Sequence, residues 1–160
     1  MTAYTSAGST LRVTATAPAT FDSAGFGTIF PSTPAAGNPL VGEITDLGEF
    51  GREYALVTHN PLATRATQKY KGSFNSGSIQ LALAYDKADL GQDIMRIAQT
   101  SDADYYFEIK DQQGNKTYFA GKVMMFKTQV GSVDQITTAS ATIEITATAA
   151  GLDFVVVEAV

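Results

Sequence analysis

The sequence predicts a mostly β protein: an antiparallel β-sandwich or barrel with one flanking α-helix and a long protruding loop. Three observations carry this. Short runs of alternating apolar and polar residues recur between turns rich in Gly, Pro and Asn. Residues 86–99 are the only stretch with a helical apolar stripe. Residues 59–78 are polar and longer than an ordinary connection. Strands with one apolar face must bury it against one another, and a single helix cannot supply the crossovers of a parallel α/β sheet.

The first ten residues are small and polar and read as a loose arm, residues 1–10. Residues 11–17 are the first strand, with Leu11, Val13 and Ala15 alternating against Arg12, Thr14 and Thr16. Residues 18–39 hold Pro18, Pro31, Pro34 and Pro39, which argues against a central strand. Phe21, Phe26, Ile29 and Phe30 lie in the same stretch, so it reads as an ordered loop whose rings pack on the body or on a neighbour. Residues 40–47 and 52–59 are strands, and GEFG between them makes a tight turn or bulge. The stretch 59–78 forms either a protruding hairpin or a docking loop. Between Tyr54 and Tyr85 it carries Arg65, Lys69 and Lys71 and no acidic residue.

Residues 79–85, IQLALAY, form the clearest strand, with Ile79, Leu81, Leu83 and Tyr85 on one side. In the helix, Leu90, Ile94, Ile97 and Ala98 make the apolar stripe. Asp86 caps it, or Asp89 does with Gln92 as the reciprocal partner. Gly91 weakens it by about 1 kcal/mol relative to Ala. Residues 105–110 and 116–127 flank DQQGN, a hairpin signal. The second of these strands is apolar on both faces, the mark of a central or sandwiched strand. Residues 136–146 form the last strand, with Ala139, Ala141, Ile143 and Ile145 on one face. The tail, residues 151–160, carries Val155, Val156 and Val157 and needs an edge or a neighbouring subunit to cover it. The domain proper is therefore expected over residues 11–150.

A length of 160 residues fits one core. The formal charge is −5, from 11 Lys and Arg against 16 Asp and Glu, which disfavours a general binder of duplex nucleic acid. The chain has no Cys, so it has no thiolate chemistry and no disulfides. No apolar run is long enough for a membrane-spanning segment, and the start lacks the pattern of a secretory signal.

Little chemistry is present. His59 stands alone before Asn60 and Pro61 and reads as a loop histidine. GSFNSGS, residues 72–78, lacks the Lys and Ser/Thr of a phosphate loop. Asp102 and Asp104, with Asp86 and Asp89, lack calcium-loop spacing and read as caps or solvated groups. Glu43 and Glu49 are an acid pair with no cleft to serve. Met124 and Met125 read as core or interface filling. No catalytic, cofactor-binding or metal residues are assigned, no cofactor is expected, and the chain reads as a non-enzyme.

Six segments in order give a more specific reading. They are PATFDSAGF (18–26), VGEITDLGEFGREYALVTHNPLATRATQKYKGSFNSG (41–77), IQLALAYD (79–86), DLGQDIMRIAQ (89–99), YYFEIKDQQGNKTYFAGKV (105–123) and ATIEITATA (141–149). Together they resemble the major tail tube proteins of long-tailed, non-contractile bacteriophages over residues 8–150. The resemblance implies a structural virion protein whose subunits close into hexameric rings. The rings stack into a tube through which DNA passes without specific binding. Implied partners are other copies of the chain, a tape measure protein, a tail terminator and a distal tail protein. The implied location is the virion tail, and the host cytoplasm before assembly. By position, residues 50–77 are the loop that reaches a neighbouring subunit or ring, and both termini are further contacts that change order on stacking. Charge segregation fits stacking: the basic stretch above contrasts with residues 128–160, which carry Asp134, Glu144, Asp153 and Glu158 and no Lys or Arg. An acidic lumen is expected to let DNA slide, and deletion of residues 64–77 to leave the fold intact while stopping stacking. The alternatives are another ring-forming protein of the same fold (a contractile-tail inner tube, a secretion-system tube or a tail terminator) and a monomeric β-sandwich binding module.

Overall fold

A computed structural model describes residues 3–160; the first two positions of the expected arm lie outside the described residues. The elements are β1 (Thr10–Thr14), α1 (Ser23–Ile29), β2 (Ile44–Asp46), β3 (Glu53–His59), β4 (Gln68–Asn75), β5 (Ser78–Ala84), α2 (Leu90–Gln99), β6 (Tyr105–Lys110), β7 (Lys116–Gln129), β8 (Thr138–Thr146) and β9 (Phe154–Val157). The main sheet is antiparallel in the order β1-β6-β7-β8-β5-β2, with β9 also on β7. β3 and β4 pair only with each other.

The sheet is open rather than a closed barrel, and one segment spans its gap. The Val41 amide donates to the Leu11 carbonyl (2.8 Å) beside β1, and the Ala84 amide donates to the Glu43 carbonyl (2.9 Å) beside β5. Residues 39–46 thus lie along both edges. The crossing turns at Glu43, the only non-glycine residue with positive φ (58°) among the described residues.

The curled sheet encloses one core. Leu11, Val13, Phe107, Phe119, Ile143 and Ile79 face inward, and Met95 and Ala98 of α2 pack on them. The alternation in β5 and β8 predicts which side is buried, and the structure agrees residue for residue. β7 is less regular. Its pairing with β8 shifts between Val123 and Met125, so Phe126 comes inward opposite Ala141 while Met124 stays exposed.

Four expectations need correction. Two helices are present rather than one. α1 lies inside the stretch expected to be loop; Asp22 caps it by accepting from the Gly25 amide (2.8 Å). Phe26 and Phe30 are buried over Tyr118, on the outer side of the sheet, so the rings pack on their own subunit. In α2 the buried face is Gly91, Gln92, Met95 and Ala98, whereas Leu90 and Ile97 are exposed. Gly91 is on the inside because a Cβ there would lie 2.2 Å from the Leu40 carbonyl oxygen. Asp89 is the cap, but Gln92 does not reciprocate: its side chain donates to the Gly42 (3.1 Å) and Ala84 (2.9 Å) carbonyls and accepts from the Asp86 amide (3.0 Å). Residues 40–47 and 52–59 do not form a hairpin around GEFG, since β2 and β3 belong to different sheets. Of the two forms expected for residues 59–78, the structure shows the hairpin, β3–β4.

The valine-rich end completes the sheet. β8 pairs with β7 up to Thr146 opposite Ala120, and β9 resumes with Phe154 opposite Phe119. The two form one line along β7, interrupted by an excursion over residues 147–153. Thr148 ties that excursion shut, donating to the Leu152 carbonyl and accepting from the Gly151 amide, both at 2.8 Å.

Candidate functional site

The sequence marks residues 59–78 as a candidate contact surface, and most of them fall in the β3–β4 hairpin. Every residue of β3 is exposed. Tyr54 and Phe74 sit across from each other on one face with ring centroids 5.6 Å apart. The Lys71 ammonium lies 4.9 Å from the Tyr54 ring, and the Arg52 guanidinium 4.1 Å from the Phe74 ring. Val57 and Tyr70 pair farther out, and Leu62 at the tip is fully exposed. The register shifts between Tyr54 and Leu56, where a Cβ on Gly72 would meet Val57 Cγ2 at 2.9 Å. An isolated two-stranded hairpin is marginal in water and gains stability only by packing on something. The body of its own subunit does not supply that cover. The alternation was weak in sequence for the same reason.

The root of the hairpin is fixed, by contrast. Asp153, only 2% exposed, accepts from Arg52 Nε (2.9 Å) and Nη2, from Ser76 Oγ (2.9 Å) and from the Phe154 amide (2.9 Å). Burial pushes this carboxyl up, but the hydrogen bonds from Arg52, Ser76 and the Phe154 amide outweigh it and hold its pKa below the usual carboxylate range. The hydrogen bond to Asp153 in turn raises the Arg52 guanidinium. Sequence reading did not single out this cluster. Its only signal was an acid separated by one residue from a run of valines.

The hairpin leaves the sheet where β5 begins, with Ser78 opposite Glu144 and the Ile145 amide donating to the Gly77 carbonyl (3.0 Å). At the other end of the same strands Ala84 lies opposite Thr138, and the Tyr85 amide donates to the Thr137 carbonyl (2.9 Å). That far end exposes Val130, Val133 and Ile136. It carries Asp86, Asp89, Asp93 and Asp134 against Lys87 and Arg96, the latter paired with Asp93, while the hairpin carries Arg65, Lys69 and Lys71 against Glu53, with Arg52 paired to Asp153 at its root. The two ends are therefore opposite in charge, and both are apolar in part.

The outer face of β5, β8 and β2 is bare. It forms an open concavity of about 600 Å³ lined by small residues such as Ala82, Ser140 and Thr142, with Asp46 and Glu49 at its rim. Glu144, Lys122 and Lys127 face the same side by register, so the acidic excess on this face is slight: Asp46, Glu49 and Glu144 against two lysines. Lys122 is also held by Asp104 (2.7 Å).

Both described termini meet on the β6–β7 turn. The Tyr4 hydroxyl donates to Asp111 Oδ2 (2.8 Å), and the Ala159 amide donates to Asn115 Oδ1 (2.9 Å). Hydrogen bonds from Asn115, and secondarily from Tyr4, hold the Asp111 carboxyl below its usual range against burial.

The remaining candidates stay dispersed. His59 ends β3 opposite Gln68 and is exposed. Glu43 turns the crossing segment and Glu49 sits at the concavity rim. Met124 is exposed and Met125 half-buried. No group of three His, Cys, Asp or Glu is placed to hold a metal among the described residues. No helix of the described residues is long and apolar enough to cross a membrane.

No protein-family model matches the sequence, and no curated protein is similar to it. A match appears among solved structures. It is a chain in the six-fold-symmetrised cryo-EM structure of the anti-feeding prophage (AFP) baseplate. The TM-score is 0.65 at 8% identity, over 98% of this chain and 97% of that one. The two chains share a fold. The likeness spans both chains almost end to end.

Proposed function

We propose that this chain is a structural subunit of a phage-tail-type tube. Copies close into rings, hexameric by resemblance, and the rings stack into the conduit through which DNA is delivered. The observation that carries this reading is the β3–β4 hairpin: an ordered, apolar and basic arm with no cover in its own subunit, opposite an end of the sheet that is apolar and acidic. A head-to-tail contact of this kind is heterologous, and a heterologous contact whose operation does not close on itself builds an open stack. The whole-length fold match to a chain of a six-fold baseplate assembly supports the same reading.

The subunit's work is then mechanical. The hairpin of one copy lies on the Val130–Ile136 end of the next, burying Leu62 and the face that carries Val57 and Tyr70. The bare outer face of β5 and β8, poor in charge and small in side chain, is the surface offered to DNA, which slides past without a basic trap. A tape measure protein, a terminator and a distal tail protein are the partners this role requires. The product belongs to the virion tail, and the free subunit to the host cytoplasm.

A second reading has its own support. The solved match lies in a baseplate, so a ring-forming subunit at the end of a tail or injection tube also fits the fold. Negative-stain microscopy of the concentrated protein tests both readings: open tubes of uniform width support the tube subunit, single rings the baseplate type. A monomer at every concentration and salt overturns both.

A further inference from the structure

The assembly reading leaves one group unused: a buried carboxylate that touches both legs of the hairpin. Arg52 precedes β3 and Ser76 follows β4, and both donate to Asp153. Asp153 in turn belongs to the last residue before β9, whose amide at Phe154 it also accepts. Phe154 packs on Phe119 and Phe50, each at 6.1 Å between ring centroids, so the same step of chain is seated in the core and against the approach to the hairpin. β9 itself is short, Phe154–Val157; it pairs with β7 alone, and its Val155 and Val157 pack against the ring cluster of α1.

We propose that Asp153 is a latch that fixes the direction of the β3–β4 hairpin, so that docking of β9 on β7 and presentation of the hairpin to the next copy are a single event. This rests on the hairpin being the assembly arm. The physical reason is geometric. A hairpin joined to a sheet only by its two legs swings about them. A carboxylate that binds a planar guanidinium through two nitrogens and a hydroxyl from the other leg removes that swing, since both bonds must stretch together. The carboxylate is placed by the strand that follows it. If β9 leaves β7, the latch leaves with it and the hairpin loses its aim. A subunit with an unseated C-terminal strand is then folded in its core and inert in stacking.

The test uses the absence of Cys in the chain. Spin labels at Thr58→Cys and Ser140→Cys report the distance from hairpin to sheet in the soluble full-length subunit. A single narrow distribution is expected, and Asp153→Asn is expected to broaden it while circular dichroism shows the β-sheet still folded. Arg52→Ala should broaden it equally, and the double variant no further, because both remove one contact. Val157→Asp, which unseats β9 at a distance from the carboxylate, should broaden it too. A narrow distribution that survives Asp153→Asn overturns the latch, as does a broad one in the parent protein. Tube or ring formation by Asp153→Asn at the parent's rate overturns its role in assembly. Failure of the parent itself to assemble under any condition counts against the assembly reading, and the distance measurement still decides the latch.

Discussion

Arg12 and Glu108 form an ion pair at 3.3 Å, both almost wholly buried, on the side of the sheet that α1 covers. Arg12 also donates to the Pro31 carbonyl (2.7 Å), the Asn38 carbonyl (3.1 Å) and Asn38 Oδ1 (2.7 Å), and it lies over the Phe30 ring. One side chain on β1 thus holds the proline-rich segment that carries α1. Lys116 approaches the other carboxylate oxygen of Glu108 at 3.5 Å. Burial and this nearby carboxylate raise the Tyr118 hydroxyl pKa.

Removing one partner leaves a buried charge without its counterpart. Arg12→Ala is expected to destabilise the subunit by about 3–5 kcal/mol. Urea denaturation followed by fluorescence or circular dichroism checks it. A loss of under about 1 kcal/mol would show that α1 holds its place without the pair.

Shortening the hairpin should separate folding from assembly. Leu56 and Lys71 are register partners. Replacing residues 57–70 by Asn-Gly closes a two-residue turn between them. The thermal midpoint should stay within a few degrees of the parent, since no buried contact is lost, while tubes disappear on the grid. Unchanged tubes would remove the hairpin from the assembly surface. The broader deletion of residues 64–77 is not a clean test, contrary to the sequence-based expectation. It removes β4 together with Ser76 and Gly77, which hold Asp153 and Ile145.

Acid should loosen the hairpin root. The Asp153 carboxyl has a folded pKa below its unfolded one, so the stability it contributes is fully present above the ordinary carboxylate range. That stability is lost as pH falls through the lowered value. Thermal midpoints of the parent and Asp153→Asn should differ at neutral pH and converge in strong acid. A gap that stays constant down to the acid limit would mean that the carboxylate charge contributes nothing.

Gly91→Ala tests packing against propensity. Alanine favours a helix by about 1 kcal/mol over glycine. At this position the new methyl meets the Leu40 carbonyl oxygen at 2.2 Å, so backbone must move. Net destabilisation of about 1–3 kcal/mol is expected, read by chemical denaturation. A stabilised variant would show that the joint between α2 and residues 40–41 yields freely.

The parts legible in the sequence are those where one face is buried and the pattern repeats. β5, β8 and the β6–β7 hairpin fall where Ile79–Leu81–Leu83, Ala139–Ala141–Ile143 and DQQGN place them. α1 was hidden because Gly25 and Gly27 lower helix propensity, although Asp22 and the i, i+4 pair Phe26–Phe30 were in view. The buried face of α2 was misread because a glycine and a glutamine were not counted as inward, yet backbone approach at Gly91 and three side-chain hydrogen bonds at Gln92 put them there. β4 was not read as a strand because it has little burial to impose alternation. The charge and length of residues 59–78 set this stretch apart in the sequence before its shape was known. Asp153 carried no such mark, since Arg52 lies 101 positions away in sequence and only the fold brings them together.

The crossing at Glu43 also bears on how such subunits fit side by side. Where the two edges of the sheet approach, no ladder runs from strand to strand; a single backbone segment touches each in turn. The molecule is built like a split cuff. Its girth can adjust at that slit by straining a few amide contacts, whereas a seamless cylinder would have to break a full row. In the ring proposed above, copies of one chain would sit around a common axis without each needing the same unrelaxed outline.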